Sequence, residues 1–298
     1  MNILITGGLG YLGTSLCELY ENSEHRVIVA DNRIGPRDDQ WFGKGFIKYY
    51  RRDVFECSDL LSRADLVYHL AGVTDVPQTT AQSNSTIDSL ISKVGSDGTR
   101  EVLRCMPKGA KILFPSSHVV FEGYQEAEVD IKADHLPRPV LAYGKSKAQS
   151  EIDIQESGKN FVIFRLASLY GFNESIRWKI LPNLFSKMAG ENKNLKVFGG
   201  GLNIKPLTSV KDCARFLKFI AEGNCQREIF NVVNEHKTVL DVAKIAQKYS
   251  SSITVTQTND EIPNLGHSLS NAKLLKTGFK FEDNLEEEMR KMVEISKC

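Results

Sequence analysis

Net charge, paired cysteines and long apolar runs are all scarce in this sequence of 298 residues. Its 38 Lys and Arg balance 37 Asp and Glu, so the net charge of +1 gives no basic field that would attract nucleic acid. The six cysteines include no CxxC pair, which argues against a metal site and a disulfide framework. No apolar run approaches the roughly 20 residues that span a bilayer, and Ile3–Ile5 is too short for a signal peptide. We therefore expect no nucleic acid, membrane or metal as a partner, and free thiols in a cytoplasmic protein.

Apolar stretches alternate with helical patterns through the first half of the chain. Six stretches are near-continuously apolar, as strands covered on both faces of a parallel sheet are: Asn2–Thr6, Arg26–Asp31, Phe46–Tyr50, Asp65–Leu70, Lys111–Pro115 and Phe161–Leu166. The helical patterns between them lie at Tyr11–Glu21, Ser58–Ser62, Thr86–Cys105 and Ala142–Glu156. This alternation predicts an α/β fold with a doubly wound parallel sheet of the Rossmann type. We expect that domain over residues 1–168, with interleaved later strands, and a smaller α/β substrate lobe over residues 169–298.

A glycine-rich loop follows the first predicted strand and precedes the first predicted helix. Its spacing is Gly7-x-x-Gly10-x-x-Gly13. Glycine permits a positive φ at the turn, and the missing side chains let backbone N–H groups and the helix N-terminus approach a pyrophosphate. The second strand ends at Asp31, about where the acceptor of a ribose hydroxyl is expected. The loop and the acid together predict a dinucleotide site.

The charged residues that end the second strand bear on the choice of dinucleotide. A carboxylate at Asp31 would repel a 2′-phosphate, which favours NAD over NADP. Arg33 and Arg37 follow closely and could serve such a phosphate, although solvated loop arginines are the simpler interpretation. We therefore expect NAD as the cofactor.

A tyrosine, a lysine and a serine form a second candidate site. Tyr143 and Lys147 are four residues apart in a predicted helix, so they lie on one face of it. An ammonium beside a phenol favours the phenolate, and we expect Lys147 to lower the pKa of Tyr143. Ser116 and Ser117 follow the strand predicted at Lys111–Pro115, where a hydroxyl would enter the ligand crevice.

Five ordered motifs give the chain a resemblance to a known family. They are TGGLGYLG (Thr6–Gly13), Asp31-Asn32, HLAG (His69–Gly72), SSHVVFEG (Ser116–Gly123) and YGKSK (Tyr143–Lys147). In this order they resemble the extended short-chain dehydrogenases. More specifically, the chain is similar to the NAD-dependent sugar epimerase/dehydratase family, whose members mostly act on nucleotide sugars. The resemblance continues to Ser270–Phe281 and so covers nearly the whole chain.

The resemblance implies a role for each matching position. The cofactor would contact Gly7, Gly10, Tyr11, Leu12, Gly13, Asp31, Asn32, Asp53, Val54, Leu70, Ala71, Gly72, Tyr143 and Lys147. Ser117 would polarise a sugar oxygen and Tyr143 would move its proton, with Lys147 completing the catalytic set. The substrate would contact Ser116, Ser117, His118, Ser168, Arg177 and Lys205. A packed, structural histidine is the alternative for His118, as it is for His69.

Several positions depart from the family's pattern. His118-Val119 stands where the dehydratases carry an Asp-Glu pair and the decarboxylases a glutamate, which disfavours both reactions. Lys205 replaces an arginine that grips the diphosphate, and a second arginine is missing near Leu265-Gly266-His267. A lysine binds phosphate as a point charge, without the fork of a guanidinium. Two further departures are Gly95, in place of a helix-stabilising asparagine, and Val120–Gly123, in place of VYG.

The resemblance implies hydride chemistry at C4 of a nucleotide-linked sugar, and it leaves the reaction open. In an epimerase, Tyr143 removes the hydroxyl proton while hydride leaves C4, and the 4-keto intermediate is reduced again from its other face. A 4-keto-sugar reductase or 4-dehydrogenase uses the same residues. A non-catalytic dinucleotide sensor or scaffold shares the fold, although the intact Ser117, Tyr143 and Lys147 argue against it. The family also implies a homodimer, with helices around Thr86–Cys105 and Ala142–Glu156 packed across a two-fold axis.

Overall fold

A computed structural model describes residues 1–33, 41–42, 47–74, 85–124, 127–259 and 266–297. Arg37, Phe46, Leu265 and Cys298, which enter the predictions above, lie outside these ranges. The strands are β1 (Asn2–Thr6), β2 (Arg26–Asp31), β3 (Trp41–Phe42), β4 (Ile47–Arg51), β5 (Leu66–His69), β6 (Lys111–Ser117), β7 (Glu128–Ile131), β8 (Asn160–Leu166), β9 (Ser168–Tyr170), β10 (Leu195–Val197), β11 (Ile204–Ser209), β12 (Glu228–Val232), β13 (Glu235–Thr238), β14 (Val255–Gln257) and β15 (His267–Leu269).

Helices connect most of these strands. They are α1 (Tyr11–Tyr20), α2 (Ser58–Leu61), α3 (Ser85–Ser92), α4 (Gly98–Cys105), α5 (Ala142–Glu156), α6 (Leu181–Gly190), α7 (Val210–Glu222), α8 (Val239–Lys248), α9 (Ala272–Leu275) and α10 (Leu285–Ile295). Short 3-10 turns lie at Val54–Glu56, His118–Phe121 and Gly199–Gly201, and a π-helical turn lies at Lys93–Asp97.

The main sheet has eight strands in the order β12-β8-β6-β5-β1-β2-β4-β3. Neighbouring strands are parallel except for β3, which pairs antiparallel with β4 at one edge. From β1 the sheet grows first through β2 and β4 and then, on the other side, through β5. This reversal creates a crevice beyond the carboxyl ends of β1 and β5, where doubly wound sheets bind their ligands. The predicted α/β fold with a Rossmann-type parallel sheet is confirmed.

The strands of the main sheet are apolar because helices cover both of its faces. In β1, Ile3 and Ile5 pack into one core with residues of α1 and α7, while Leu4 packs into a second core with residues of α4 and α5. All three side chains are at most 1% exposed. Continuous burial of this kind explains why the strands read as apolar runs instead of alternating patterns.

The second half of the chain builds a smaller lobe with its own core. Its sheets have the orders β13-β11-β9 and β10-β14, and β15 pairs with β7. Buried side chains such as Phe185, Val242 and Met289 fill the core between α6, α8 and α10. Between the pieces of this lobe the chain returns to the main sheet, because β12 pairs with β8. Within the described ranges, no helix is long and apolar enough to cross a membrane.

Two differences from the sequence prediction bear on the site. The single helix predicted over Thr86–Cys105 consists of α3, the π-helical turn Lys93–Asp97 and α4. The strand predicted to end at Pro115 continues to Ser117, because β6 stays paired with β8 after its pairing with β5 has ended at Leu113. Ser117 is therefore the last residue of a strand that ends at the ligand crevice.

Candidate active site

At the crevice between β1 and β5, the glycine loop exposes backbone atoms that no side chain covers. Gly7 has a φ of +71°, and a Cβ there would lie 2.6 Å from the amide nitrogen of Ala71. A Cβ on Gly13 would lie 2.7 Å from the carbonyl oxygen of Gly7. Gly10 is the N-cap of α1 and gives the helix no side-chain cap. The uncapped N–H groups at this helix end fit the pyrophosphate of a dinucleotide.

The first turn of α1 is tied to the smaller lobe. Tyr11 and Leu12 are nearly buried, so they would offer the cofactor backbone atoms. The Tyr11 hydroxyl donates to the carbonyl oxygen of Gly171 and accepts from Asn183 Nδ2 at 3.2 Å. Asn173 Nδ2 donates to the Tyr11 carbonyl oxygen at 2.8 Å. The cofactor helix and the loop that begins after β9 are therefore held together.

Asp31 is the last residue of β2, and its carboxylate accepts hydrogen bonds from within the protein. Its Oδ2 accepts from the backbone N–H of Leu9, in the glycine loop, at 3.0 Å. Its Oδ1 accepts from the backbone N–H of Arg33 at 3.0 Å and from Arg33 Nε at 3.1 Å. The carboxylate fits a ribose hydroxyl. Arg33, interpreted from the sequence as a solvated loop residue, is instead ion-paired to it.

Asp53 and Val54 begin a short 3-10 turn beside Asn32. The Asp53 carboxylate accepts from the backbone N–H of Phe55 at 3.2 Å and from Asn32 Nδ2 at 3.1 Å. Glu56 accepts from the backbone N–H of Asp53, which completes a capping box. Val54 is 5% exposed. The capping box alone explains why an aspartate stands at position 53. Its contact with adenine stays a prediction.

The segment after β5 closes the other side of the crevice. The backbone N–H of Leu70 donates to the Thr6 carbonyl oxygen at 3.0 Å. The N–H of Ala71 donates to the Thr6 hydroxyl at 3.4 Å. Gly72 is exposed. Leu70 and Ala71 thus lie directly beside the glycine loop, and the contact of these three residues with the cofactor stays a prediction.

Ser117, Tyr143 and Lys147 meet at the carboxyl end of β6. The Ser117 hydroxyl lies close enough to the Tyr143 phenol to lower its pKa. Lys147, one helical turn further along α5, lies with its Nζ 5.8 Å from the centroid of the Tyr143 ring. That Nζ donates to the carbonyl oxygen of Pro115 at 2.7 Å and lies 4.5 Å from the Phe114 ring centroid. The structure thus brings the three predicted catalytic side chains together.

The acid–base properties of this trio differ from the expectation. Burial raises the pKa of Tyr143 to about 12, so the expected lowering by Lys147 is wrong for the chain by itself. The charge that most lowers the pKa of Tyr143 is Arg177, and the negative charge of Glu122 raises it. Burial also lowers the pKa of Lys147 to about 8, against an opposing effect of Glu151. At neutral pH the phenol is protonated and the ammonium is charged.

On the substrate side of Ser117, two imidazoles and a serine form a hydrogen-bonded line. His118 Nδ1 lies 3.2 Å from His267 Nε2, and His118 Nε2 lies 3.2 Å from Ser168 Oγ. Burial lowers the pKa of His118 well below its usual value and that of His267 to about 4, so both rings are neutral at pH 7. Ser116 is 2% exposed, and its burial argues against the predicted contact with substrate.

Lys205 and Arg177 are the cations predicted to contact the substrate. Lys205 lies in β11, where burial lowers its pKa and the negative charge of Glu122 raises it. Burial raises the pKa of Glu122, and the nearby backbone N–H of Leu141 lowers it. The Arg177 guanidinium donates to the carbonyl oxygen of Thr74, after β5. The charge of Lys205 lowers the pKa of His118, whereas that of Arg177 lowers the pKa of Tyr143.

Sequence reasoning gave no site role to two of these residues. From the sequence, Glu122 is only part of a departure from VYG, yet the charge of its carboxylate raises the pKa of both Tyr143 and Lys205. From the sequence, His267 is only a neighbour of the missing arginine. Its position one residue after Gly266, which bridges Ile204 in β11, brings it beside Lys205. In the described part of the chain, no group of three or more His, Cys, Asp or Glu could hold a metal ion.

The model of the NAD dependent epimerase/dehydratase family matches residues 3–233. The chain belongs to this family. It is an NAD-dependent enzyme of the extended short-chain dehydrogenase type, as its sequence predicts. Among curated relatives, UDP-N-acetyl-alpha-D-glucosaminuronate decarboxylase from Bacillus cytotoxicus is 26% identical and the alignment covers 81% of this chain and 78% of that protein.

A second relative and a solved structure extend the comparison. UDP-glucose 4-epimerase from Neisseria meningitidis is 27% identical to this family member, over 74% of this chain and 71% of that protein. UDP-glucuronic acid 4-epimerase from Bacillus cereus, in complex with UDP-glucuronic acid and NAD, superposes with a TM-score of 0.85 at 23% identity, over 100% of this chain and 99% of that one. The structural likeness shows the shared fold.

Proposed function

We propose that this family member is an NAD-dependent 4-epimerase of a nucleotide sugar. The observation that carries the proposal is the meeting of Ser117, Tyr143 and Lys147 at the end of β6, beside the glycine loop of the dinucleotide site. Such a trio can take a proton from a sugar hydroxyl where hydride can leave the same carbon. A binding module would have no use for this arrangement.

In the proposed reaction the chain moves a proton and holds a developing charge. Tyr143 accepts the proton of the C4 hydroxyl, and Ser117 donates a hydrogen bond to the oxygen as its carbon becomes a ketone. The Arg177 guanidinium favours the phenolate, and Lys147 holds its ammonium 5.8 Å from the centroid of the phenol ring. The dinucleotide, when bound, supplies the acceptor and donor of the hydride. Reduction from the opposite face of the keto sugar completes an epimerisation.

The nucleotide-sugar substrate is supported by the relatives, whose names specify UDP-linked sugars. The residues that we propose for it are Ser117, His118, Ser168, Arg177 and Lys205. The polar atoms of His118 and Ser168 suit sugar hydroxyls and phosphate oxygens, with Lys205 as a point charge for the latter. His118-Val119 offers no carboxylate beside Ser117, which argues against dehydration and decarboxylation.

One observation favours a second candidate, a 4-keto-sugar reductase. With its pKa raised to about 12, Tyr143 starts as a protonated phenol, which is the form that donates a proton to a keto oxygen. A reductase begins from this state, whereas an epimerase begins from the phenolate. The two candidates use the same residues and differ in whether the cofactor is released after each turnover.

Incubation with a panel of UDP- and other nucleotide-linked sugars, without added cofactor, separates the candidates. Isomerised sugar supports the epimerase. Turnover only with added NADH and a keto sugar supports the reductase. Tyr143→Phe is expected to lower turnover by roughly 100- to 10,000-fold and to leave NAD binding unchanged. The matched control is Tyr249→Phe, because the Tyr249 phenol donates its hydrogen bond to Glu286 and to none of the proposed site residues. Full activity in Tyr143→Phe would refute the assigned role.

We also propose a homodimer and a cytoplasmic location. Leu90 in α3 and Ile152 in α5 are 47% and 46% exposed, on the two helices that the family packs across its two-fold axis. Light scattering at micromolar concentration is expected to give twice the monomer mass, and less after Leu90→Glu with Ile152→Glu. No disulfide joins any two of the described cysteines, which supports a reducing compartment.

A further inference from the structure

A network of buried hydroxyl groups lies between the catalytic helix α5 and the π-helical turn Lys93–Asp97. We define the hydroxyl network as Thr99, Ser146, Ser150 and the Gly95 carbonyl that they surround. The Gly95 carbonyl oxygen accepts from Thr99 Oγ1 at 2.6 Å and from Ser150 Oγ at 3.2 Å. Thr99 Oγ1 also lies 3.1 Å from Ser150 Oγ. Thr99 and Ser150 are 0% exposed, so water does not compete for these bonds.

The shape of Gly95 is fitted to this network. A Cβ built on it would lie 2.2 Å from Ser146 Oγ. The serine cannot simply rotate away without loss, because its Oγ donates to the Ile91 carbonyl oxygen at 3.3 Å and lies 3.2 Å from Ser96 Oγ. A larger residue at Gly95, such as the asparagine that the family carries, would therefore crowd Ser146 of α5. In this chain, hydroxyls from α5 hold the π-helical turn.

The network continues through His69 to the cofactor crevice. His69 Nε2 lies 3.2 Å from Thr99 Oγ1, and its Nδ1 lies 2.9 Å from Thr6 Oγ1. The Thr6 hydroxyl in turn accepts from the N–H of Ala71, in the segment that closes the crevice. His69 is fully buried, and burial lowers its pKa to about 3, so it stays neutral and cannot act as an acid or base at pH 7. Its two nitrogens can only hold hydroxyls in place.

The far end of the network lies within a turn of the catalytic lysine. Lys147 sits between Ser146 and Ser150 in α5, and its Nζ depends on the distance from α5 to β6 for its bond with Pro115. Phe114, in β6, has its ring centroid 5.9 Å from the His69 ring and 4.5 Å from Lys147 Nζ. A shift of α5 along the π-helical turn would therefore change the environment of that ammonium.

We propose that Thr99, Ser150 and His69 are positioning residues that fix α5, and with it Tyr143 and Lys147, relative to the cofactor crevice. The kinetic effect expected from this inference rests on the proposed function, because it is measured on that reaction. Misplacement of a reacting group by about 1 Å costs on the order of 100-fold in rate. Loss of the Thr99 hydroxyl is accordingly expected to lower kcat roughly 10- to 100-fold and to change KM less than about twofold.

The test compares Thr99→Val, which keeps the shape and removes the hydroxyl, with Thr99→Ser, which keeps the hydroxyl. The proposal expects a fall in kcat per folded enzyme for Thr99→Val and recovery in Thr99→Ser. Ser150→Ala should behave as Thr99→Val does. If Thr99→Val lowers only the melting temperature, and kcat of the folded fraction equals that of the wild type, the positioning role is wrong.

A second readout does not depend on any reaction. In protein labelled with 13C-lysine, the Cε resonance of Lys147 can be assigned by its loss in Lys147→Met, and its pKa is expected near 8. Thr99→Val should move that pKa by at least half a unit, whereas Thr99→Ser should not. If the wild type turns over no nucleotide sugar, the proposed function fails while this titration still decides the positioning role. An unmoved pKa in Thr99→Val overturns it.

Discussion

The Arg33 guanidinium lies against the Asp31 carboxylate, with Nε 3.1 Å from Oδ1 and an Nη nitrogen 3.2 Å from Oδ2. The acid that we expect to favour NAD therefore also occupies the nearest guanidinium. Arg33 is more than half exposed, so release from Asp31 would leave it free to bind a phosphate at the same place.

Removal of the Asp31 carboxylate is expected to raise the affinity for NADP relative to the affinity for NAD. In Asp31→Ser, repulsion of the 2′-phosphate is lost and Arg33 becomes available, so the ratio of NADP to NAD affinity should rise on the order of 10- to 100-fold. Fluorescence titration with both reduced dinucleotides measures it. The control is Asp31→Ser with Arg33→Ala, which should keep the weaker NAD binding and the part of the gain that lost repulsion supplies, and lose the part that Arg33 supplies. An equal gain in both variants would show that Arg33 plays no part.

Lys147 is expected to make the stability of the fold depend on pH. Its pKa is about 8 in the folded state against 10.5 for an ordinary lysine, so between these values the unfolded chain binds more protons. Stability should therefore rise with pH through this window, by an amount of order 2 to 3 kcal/mol. Urea unfolding at pH 7 and pH 10 should show this rise in wild type and in Lys145→Met, an exposed neighbour in α5. Lys147→Met should lack it. An identical rise in Lys147→Met would contradict the assignment.

Gly95 and Ser146 are expected to behave as a matched pair. Gly95→Ala alone should destabilise the fold by about 1 to 3 kcal/mol, because its Cβ would lie 2.2 Å from Ser146 Oγ. In Gly95→Ala with Ser146→Ala the nearest approach becomes the 3.4 Å to Ser146 Cβ, and most of the loss should be recovered. Chemical unfolding of the four proteins of this double-mutant cycle measures the coupling. Strict additivity would mean that the two residues do not touch.

Glu151 is expected to be the most costly carboxylate of α5 to neutralise. It is 1% exposed and accepts from Arg165 Nη2 at 2.7 Å, and Arg165 is buried as well. Glu151→Gln would leave a buried guanidinium without its counter-charge, with an expected loss of about 3 to 5 kcal/mol. Glu156→Gln, at the exposed end of the same helix, should cost less than about 0.5 kcal/mol. Comparable losses in the two variants, measured by urea unfolding, would speak against the buried pair.

Local spacing was enough to predict much of the site. The loop of Gly7, Gly10 and Gly13 needs only a strand before it and a helix after it, and the pair of Tyr143 and Lys147 needs only a helix. Both are conditions that neighbouring residues impose. The apolar runs of the main sheet are equally local signals of a sheet that is covered on both faces.

The remaining features depend on residues that meet only in the folded chain. His118 and His267 are 149 residues apart, and His267 lies in a strand held by its pairing with β7. The π-helical turn that interrupts the helix predicted over Thr86–Cys105 contacts serines of α5 about 50 residues later. The raised pKa of Tyr143 follows from burial, which the spacing to Lys147 does not reveal.

The return of the chain to the main sheet at β12 limits how this protein can be recombined. Besides β7, the smaller lobe consists of one piece that ends before β12 and another that begins after it, so no single crossover point exchanges it as a unit. A chimera that takes only the later piece from a relative would pair a foreign β13 with the resident β11. It would also place a foreign residue at the His267 position, facing the resident His118. Substrate preference in this architecture should therefore change through paired exchanges, or through single residues, more readily than through transfer of one segment.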